Sequence, residues 1–369
     1  MRFALPRSPL LTAVTSAHGI VERRPAVPVL SHLLLEAKQD EITLRATDLD
    51  HTFTARIPAS VETPGTAIVL VQTLYDALRK TGEVDTLGFF VNEEGSRLTL
   101  KAGRSRFNLT ILQEATFPEE GAFSAATSFK LATLALKQLI DKTRFSVSTE
   151  ETRYALNGIY MHTTAEDTVL RAAATDSHRL AVTAVPFKES ASLSMILSRK
   201  TVTEATKLLD KSEGEVSVSV SAAQIRLDFG NEILTARLVD GEFPNYTRVI
   251  PERSTTFFDV DRKKFIESVD RASIIADDTV RIVKLKLQED LLRIFSVQHE
   301  LGTAEDEVDV LFKGSTSWEA SFNARYLLEA AEHIDGDKIR VYITDALAPV
   351  LMERPEDSAT SFVVMPMRM

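Results

Sequence analysis

Three near-copies of one pattern follow each other along the chain. Phe3, Phe129 and Phe258, spaced 126 and 129 residues apart, each open a strand-like run followed by a helix-like run. The first two copies match further. Ile42–Asp48, ending Ala-Thr-Asp, answers Val169–Asp176, with the Thr-Asp pairs 128 residues apart. Pro58 answers Pro186, and Phe117-Pro118 answers Phe243-Pro244. A repeat this long is a whole domain rather than a solenoid unit, because about 120 residues can bury a core of their own. Three like domains in a row predict an arc, which raises the question of what it surrounds.

Each copy reads as two helices among short strands. Ser8-Pro9 reads as an N-cap with Pro at the first helical position. A second helix is predicted over Gln72–Lys80 with Gly82 past its end, and a third over Thr133–Thr143. Ser198 is expected to cap a helix through Leu209, Asp261 one over Arg262–Ala272, and Asn323 one over Ala324–His333. Alternating runs such as Arg97–Lys101, Glu215–Val220 and Lys284–Leu287 predict strands with one wet face. The fold class is therefore α+β, with two helices packed on antiparallel sheet in each of three domains. Boundaries are expected at residues 1–122, 123–252 and 253–369, with short linkers at 119–124 and 251–256.

Composition narrows the chemistry. The chain has no cysteine, so disulfides, thiolate catalysis and cysteine-held metals are excluded. Its seven histidines show no metal-ligand spacing. No apolar run approaches the ~18 residues of a membrane span, and Met1–Pro6 lacks a signal-peptide core, which predicts a cytoplasmic protein. The net charge of −10 argues at first against nucleic acid, but it falls mostly on the last third, where 22 acidic residues face 14 basic ones. Cations recur on the helices: Arg7, Arg79 and Lys80, then Lys137, Lys142, Arg144, Arg199, Lys200, Lys207 and Lys211, then Arg262, Lys263 and Lys264. A solvated helix face explains any one of these; recurrence across three copies favours a shared basic surface, diluted by Asp76, Glu204 and Glu329.

Three segments and the tail carry a family resemblance. Arg153–Gly158 followed by Ala174–Val182, then Gly241–Pro251, then Phe362–Met369 resemble the central-domain signatures and C-terminus of the bacterial DNA polymerase III beta subunits, the sliding clamps. The resemblance spans the whole chain, triplication included. It implies a head-to-tail homodimer closed into a ring around duplex DNA, tethering the replicative polymerase without catalysis or cofactor. It also implies a pocket that takes short peptides from the polymerase alpha subunit, the clamp loader and other DNA-processing partners. The matching pocket positions are Leu156, Thr175, His178, Arg179, Leu180, Pro244, Arg248, Val249, Asn323, Tyr326, Val363, Val364, Met365, Pro366, Met367 and Arg368. An apolar trough with adaptable methionines suits varied ligands, and Arg179, Arg248 and the Asn323 amide offer polar anchors.

For DNA contact the resemblance points to Arg24 and Tyr154. Ala155 stands at the second of two aromatic positions, and Glu150, in the acidic run Thr149–Glu151, at a polar contact position. The seam is expected to set Phe107 and Leu109 against Ile274 and Ile275. Lys101, Arg104 and Arg106 would face Glu300, Glu305, Asp306 and Glu307 across it. Two other readings compete. A clamp-like scaffold need not encircle DNA or keep this seam. A β-rich hydrolase would need a site, yet Asp176-Ser177-His178 is a contiguous cluster rather than a triad assembled in space. No Gly-x-Ser-x-Gly elbow or phosphate-binding loop occurs, and Asp277-Asp278 and Asp335/Asp337 sit in turn-like contexts.

Overall fold

The computed structural model describes every residue except 83, 114–115, 151, 165–167, 190–191, 277–280, 299–300, 315–316 and 368–369. The expected Asp277-Asp278 pair, Glu151, Glu300 and Arg368 therefore lie outside the described residues. Six α-helices are present among the described residues: α1 Arg7–Ile20, α2 Val71–Lys80, α3 Thr133–Asp141, α4 Arg199–Leu209, α5 Arg262–Ala272 and α6 Ala324–Glu332. Their starts follow the sequence signals closely. Asp261 Oδ1 accepts the amide of Lys264 at 2.9 Å to cap α5, and Asn323 Oδ1 accepts that of Arg325 at 2.9 Å to cap α6. Gly82, just beyond α2, takes φ +67°, the left-handed conformation that glycine adopts without steric cost. The start of α1 is the correction. Pro6, not Ser8, sits at the N-cap, and the helix begins two residues earlier than the Ser-Pro signal implies. Pro9 still fits, because amides of the first turn have no intrahelical partner to lose.

The chain divides into two compact units, residues 1–137 with 200–238 and residues 138–199 with 239–369. The first unit holds two sheets. One is five-stranded, in the order Ser60–Thr63, Arg2–Pro6, Thr86–Val91, Arg97–Ala102, Ser105–Thr110. The other is eight-stranded and runs without a break from Thr127–Ala132 through Glu232–Arg237 and His51–Pro58 to Gly65–Leu70. The second unit holds one twelve-stranded sheet, in which Arg179–Pro186 pairs with the final strand Asp357–Val364. Pairing is antiparallel throughout these ladders, so alternate residues face the helices. Phe53, Ala55 and Ile57 are buried on one face, while the polar Thr52 and Thr54 turn to the other.

The repeat is visible in register. Phe3 lies opposite Phe89, Phe129 opposite Val218 and Phe258 opposite Val341, and all three opening phenylalanines are buried. Each copy thus begins by pairing its first strand with the strand that follows its second helix. α1 packs on α2 and α5 on α6, with Leu10, Val14, Ala17, Leu74 and Leu78 buried in the first pair and Phe265, Val269, Ala272, Leu327 and Ala331 in the second.

Candidate functional site

A single turn recurs at 47–51 and 175–179, and the expected site grows from the second copy. In both, threonine follows the strand and bonds across the turn: Thr47 Oγ1 donates to the His51 carbonyl at 2.9 Å, and Thr175 Oγ1 to the Arg179 carbonyl at 2.6 Å. The aspartate then collects backbone amides. Asp48 accepts from Asp50 and His51, and Asp176 from His178 and Arg179 at 2.9 and 3.0 Å. The residue at the tip is held at positive φ, +81° for Leu49 and +77° for Ser177, an unusual conformation for non-glycine residues that these bonds hold in place.

The copies differ in what they grip. In the first, Lys200 of α4 donates to Asp48 Oδ2 at 2.6 Å and to the Ile20 carbonyl at 2.5 Å, while His51 contacts Thr201 at 3.1 Å. Burial pushes the Asp48 carboxyl up, but the hydrogen bonds from His51 and Lys200 outweigh it and hold it well below the usual carboxylate range. In the second copy a buried arginine replaces the histidine. Arg179 donates to Asp176 Oδ2 at 3.0 Å, to the Phe145 carbonyl at 2.6 Å and to Glu329 of α6. Its guanidinium lies 4.6 Å from the Tyr326 ring centroid and 5.2 Å from that of Phe145.

Several of the other expected pocket residues assemble around this turn. Leu156, Leu180 and Val363 share one buried apolar cluster with Ala173, Phe243 and Tyr246, and Leu180 stands directly opposite Val363. Val364 is fully buried, whereas Met365 and Val249 are exposed apolar side chains. The tail is pinned by its backbone: the Met365 amide donates to the His178 carbonyl at 2.9 Å and that of Met367 to Ser321 at 2.7 Å. His178 is exposed and stacks on Tyr326, centroids 6.2 Å apart. Pro244 and Arg248 are exposed on and before the short helix Tyr246–Val249, whose Tyr246 reaches back to His162 at 2.8 Å. Burial pushes His162 below the ordinary imidazole value and pushes the Tyr246 hydroxyl up to about 12.

Two of the expected polar anchors are already engaged: Arg179 as above, and the Asn323 carbonyl oxygen as the cap of α6. Three participants escape sequence reading: Phe145, His162 and Glu329. Glu329 counts in the sequence only as an acid diluting a basic helix face. The arrangement also disposes of a triad. Asp176 spends its carboxylate on two amides and a guanidinium, and the Ser177 hydroxyl accepts from Arg153 at 2.5 Å.

The helix cations are heavily partnered. Lys137 pairs with Asp210, Lys207 with Glu204 and Lys211 with Glu232. Lys142 pairs with Asp335 and the His333 carbonyl. Arg262 donates to the carbonyls ending α6, Ala331 and Glu332, and Arg7 to Thr81 and Leu78. Arg24 is exposed, Tyr154 is 72% exposed, and Glu150 is paired with Arg153 at 2.9 Å. Of the seam candidates, Lys101, Arg104 and Arg106 are exposed, Phe107 is half-buried and Leu109 is already buried by its own chain. Ile274 is 76% exposed and Ile275 is half-buried. Glu305 and Glu307 flank Arg293 at 2.6 and 2.9 Å.

Comparison with known proteins agrees with the triplicated fold. Residues 1–120, 130–245 and 247–368 match the N-terminal, central and C-terminal domains of the DNA polymerase III beta subunit in turn. The beta sliding clamp of Caulobacter vibrioides is 37% identical and that of Escherichia coli 33% identical, each over the full length of both chains. The crystal structure of the sliding clamp from Bartonella birtlesii bound to griselimycin superposes with a TM-score of 0.94 at 36% identity, covering both chains entirely. Triplicated helix-on-sheet domains, the two Thr-Asp turns and the pinned Met-Pro-Met tail thus belong together: the chain is a member of the bacterial DNA polymerase III beta-subunit family, the sliding clamps, non-catalytic processivity factors built from three tandem clamp domains.

Proposed function

We propose that two copies of this chain close head to tail into a ring around duplex DNA and hold the replicative polymerase to its template in the cytoplasm. The observation that carries this reading is a joint built twice within the chain and left open a third time. His51–Pro58 pairs with Glu232–Arg237, Phe53 opposite Leu234. Arg179–Pro186 pairs with Asp357–Val364, Ala181 opposite Phe362. Residues 53 and 181, like 234 and 362, are 128 apart, so the two joints share one register.

The third joint has both halves, but among the described residues they do not pair with each other. Phe107 stands where Leu234 and Phe362 do, because Leu100 links it to Phe89 as Leu227 and Met352 link theirs to Val218 and Val341. Ser105–Thr110 is an end strand. On the other half, the amides of Ala59, Phe187 and Val310 donate to Asp40, Thr168 and Asp290, marking one point in all three copies. Counting back equally from each reaches Phe53, Ala181 and Ala304. Along 302–309 the strand Gly302–Lys313 pairs only with Leu291–Gln298 among the described residues, which leaves its other edge open. The shared register then sets Phe107 against Ala304 of the partner subunit, Arg106 against the partner's Glu305 and Arg104 against the partner's Glu307. Opposite charges falling into step at two positions favours this register, since nothing in the counting used charge. Exposed Ile274 from a short helix, Val297 from the strand Leu291–Gln298 and Leu301 from the turn before Gly302–Lys313 supply apolar surface beside it. Val297 and Leu301 were not among the residues the sequence pointed to.

Within such a ring, cations already paired inside the chain keep attraction to phosphate weak, which suits sliding, and Arg24 and Tyr154 are the proposed direct contacts. The surface around Thr175–Leu180, Tyr246–Val249, Tyr326 and the tail is the proposed dock for partner peptides, those of the polymerase alpha subunit and the clamp loader included. The domains it serves are proposed to meet near residues 122 and 252. Sedimentation tests the seam: Arg106→Glu should weaken the dimer, and adding Glu305→Arg should restore it. A dimer indifferent to both changes would overturn the proposed register. Griselimycin, carried by the Bartonella relative, probes the dock; removal of Val364–Met369 should abolish its binding while the dimer persists, and undiminished binding would reject the assignment.

A further inference from the structure

We infer that Glu329 is a positioning residue for partner docking, acting through the Arg179 guanidinium on the Tyr326 wall; this rests on the docking surface proposed above. Arg179 is the hub. It is 8% exposed, and its donors are divided among Asp176, Glu329 and the Phe145 carbonyl. A planar cation satisfied in its own plane leaves two faces for aromatic rings. Phe145 and Tyr326 lie within cation–π range of it, and Tyr326 in turn stacks on exposed His178.

Glu329 fixes this arrangement from α6, the helix that also carries Tyr326. One carboxylate oxygen bonds Arg179 and the other bonds Arg325 at 3.0 Å. Tyr326 and Glu329 are three residues apart, so they share a helix face, and the arginine spans both. Burial, with Asp176 nearby, pushes the Tyr326 hydroxyl above its ordinary value, as expected for a ring held against this cluster. The first copy of the turn is held differently. There Lys200 and Thr201 of α4 meet Asp48 and His51, and Thr201 occupies the place of Tyr326. A plain latch in one copy has become, in the other, a latch that also aims an aromatic wall.

A consequence is linkage. A ligand that needs Tyr326 and His178 in place binds only while Glu329, Arg179 and Asp176 are engaged, and by reciprocity its binding tightens the same contacts. The experiment is a double-mutant cycle on the full chain, read as griselimycin affinity by calorimetry. Tyr326→Ala and Glu329→Gln are each expected to weaken binding about tenfold, and the double variant no more than Tyr326→Ala alone. Glu329→Asp, which keeps the charge on a shorter arm, should fall between wild type and Glu329→Gln and guards against a folding defect in the latter. Additive losses, or a Glu329→Gln variant that binds as wild type while Tyr326→Ala does not, would overturn the inference. If Tyr326→Ala itself leaves affinity unchanged, the docking assignment fails and takes the inference with it.

Discussion

The turns at 47–51 and 175–179 share one frame and differ in what surrounds it. Both keep the threonine bridge, the amide-collecting aspartate and a tip residue at positive φ. In the first, the surroundings are mostly polar. Thr52 bonds Thr47 at 3.1 Å, Thr235 donates to Glu120, and the space between is a cavity of about 70 Å³. In the second, the cross-strand pair Thr52–Thr235 has become Leu180–Val363, backed by Phe243 and Tyr246. The lesson is that one repeated joint can be lined with polar side chains in one copy and with apolar ones in the other, and the proposed dock is the apolar copy.

The comparison breaks most readily at its two central charges. Arg179→Ala strands Glu329 and Asp176 and removes two ring contacts; it should cost about 3 kcal/mol in denaturant unfolding of the second unit and eliminate griselimycin binding. Asp48→Ala leaves the turn amides without their acceptor and removes one of the two acceptors of Lys200. Because Lys200 is partly exposed, about 2 kcal/mol is expected, confined to the first unit, with griselimycin affinity unchanged. A loss of affinity there would mean the two turns are not independent.

Acid should separate the copies more gently. His162 is held neutral by burial, so the unfolded chain binds more protons than the fold below about pH 6.5, and stability around Tyr246 falls as pH drops from there. Asp48 behaves as a depressed carboxylate: its contribution is complete above about pH 4 and fades only as pH falls toward the lower folded value. Hydrogen exchange at pH 5 against pH 7 should therefore loosen residues 160–163 and 243–249 and spare 47–51, and His162→Phe should remove the difference. The smallest effect is expected from relining the first copy. Thr52→Leu with Thr235→Val should shift stability by no more than about 1 kcal/mol and create no second griselimycin site, since Asp50 and Glu120 still line the cavity.

Much of this was legible from residue order, because it is local or repeated. The caps Asp261 and Asn323, the glycine after α2 and the opening phenylalanines all act within a few residues of themselves. The proposed docking residues could be named because their motifs are contiguous. What the sequence hid depends on partners far along the chain. The recurring helix cations look like a basic face until Lys137 meets Asp210 and Lys142 meets Asp335. Arg179 looks like a free anchor until Phe145 and Glu329, 34 residues before it and 150 after it, close around it. Leu109 reads as seam surface although its own sheet buries it, while Val297 and Leu301, exposed beside Ile274, carry no motif at all. Register supplied what pattern could not, since only pairing reveals that two joints are alike and a third is open.

The central claim is topological, and so is its most direct test. Once loaded on DNA, the wild-type protein should stay on closed circles and run off the same molecules after linearisation, with Arg106→Glu losing retention on circles as well. Equal retention on circular and linear DNA would contradict a closed ring held by the proposed seam.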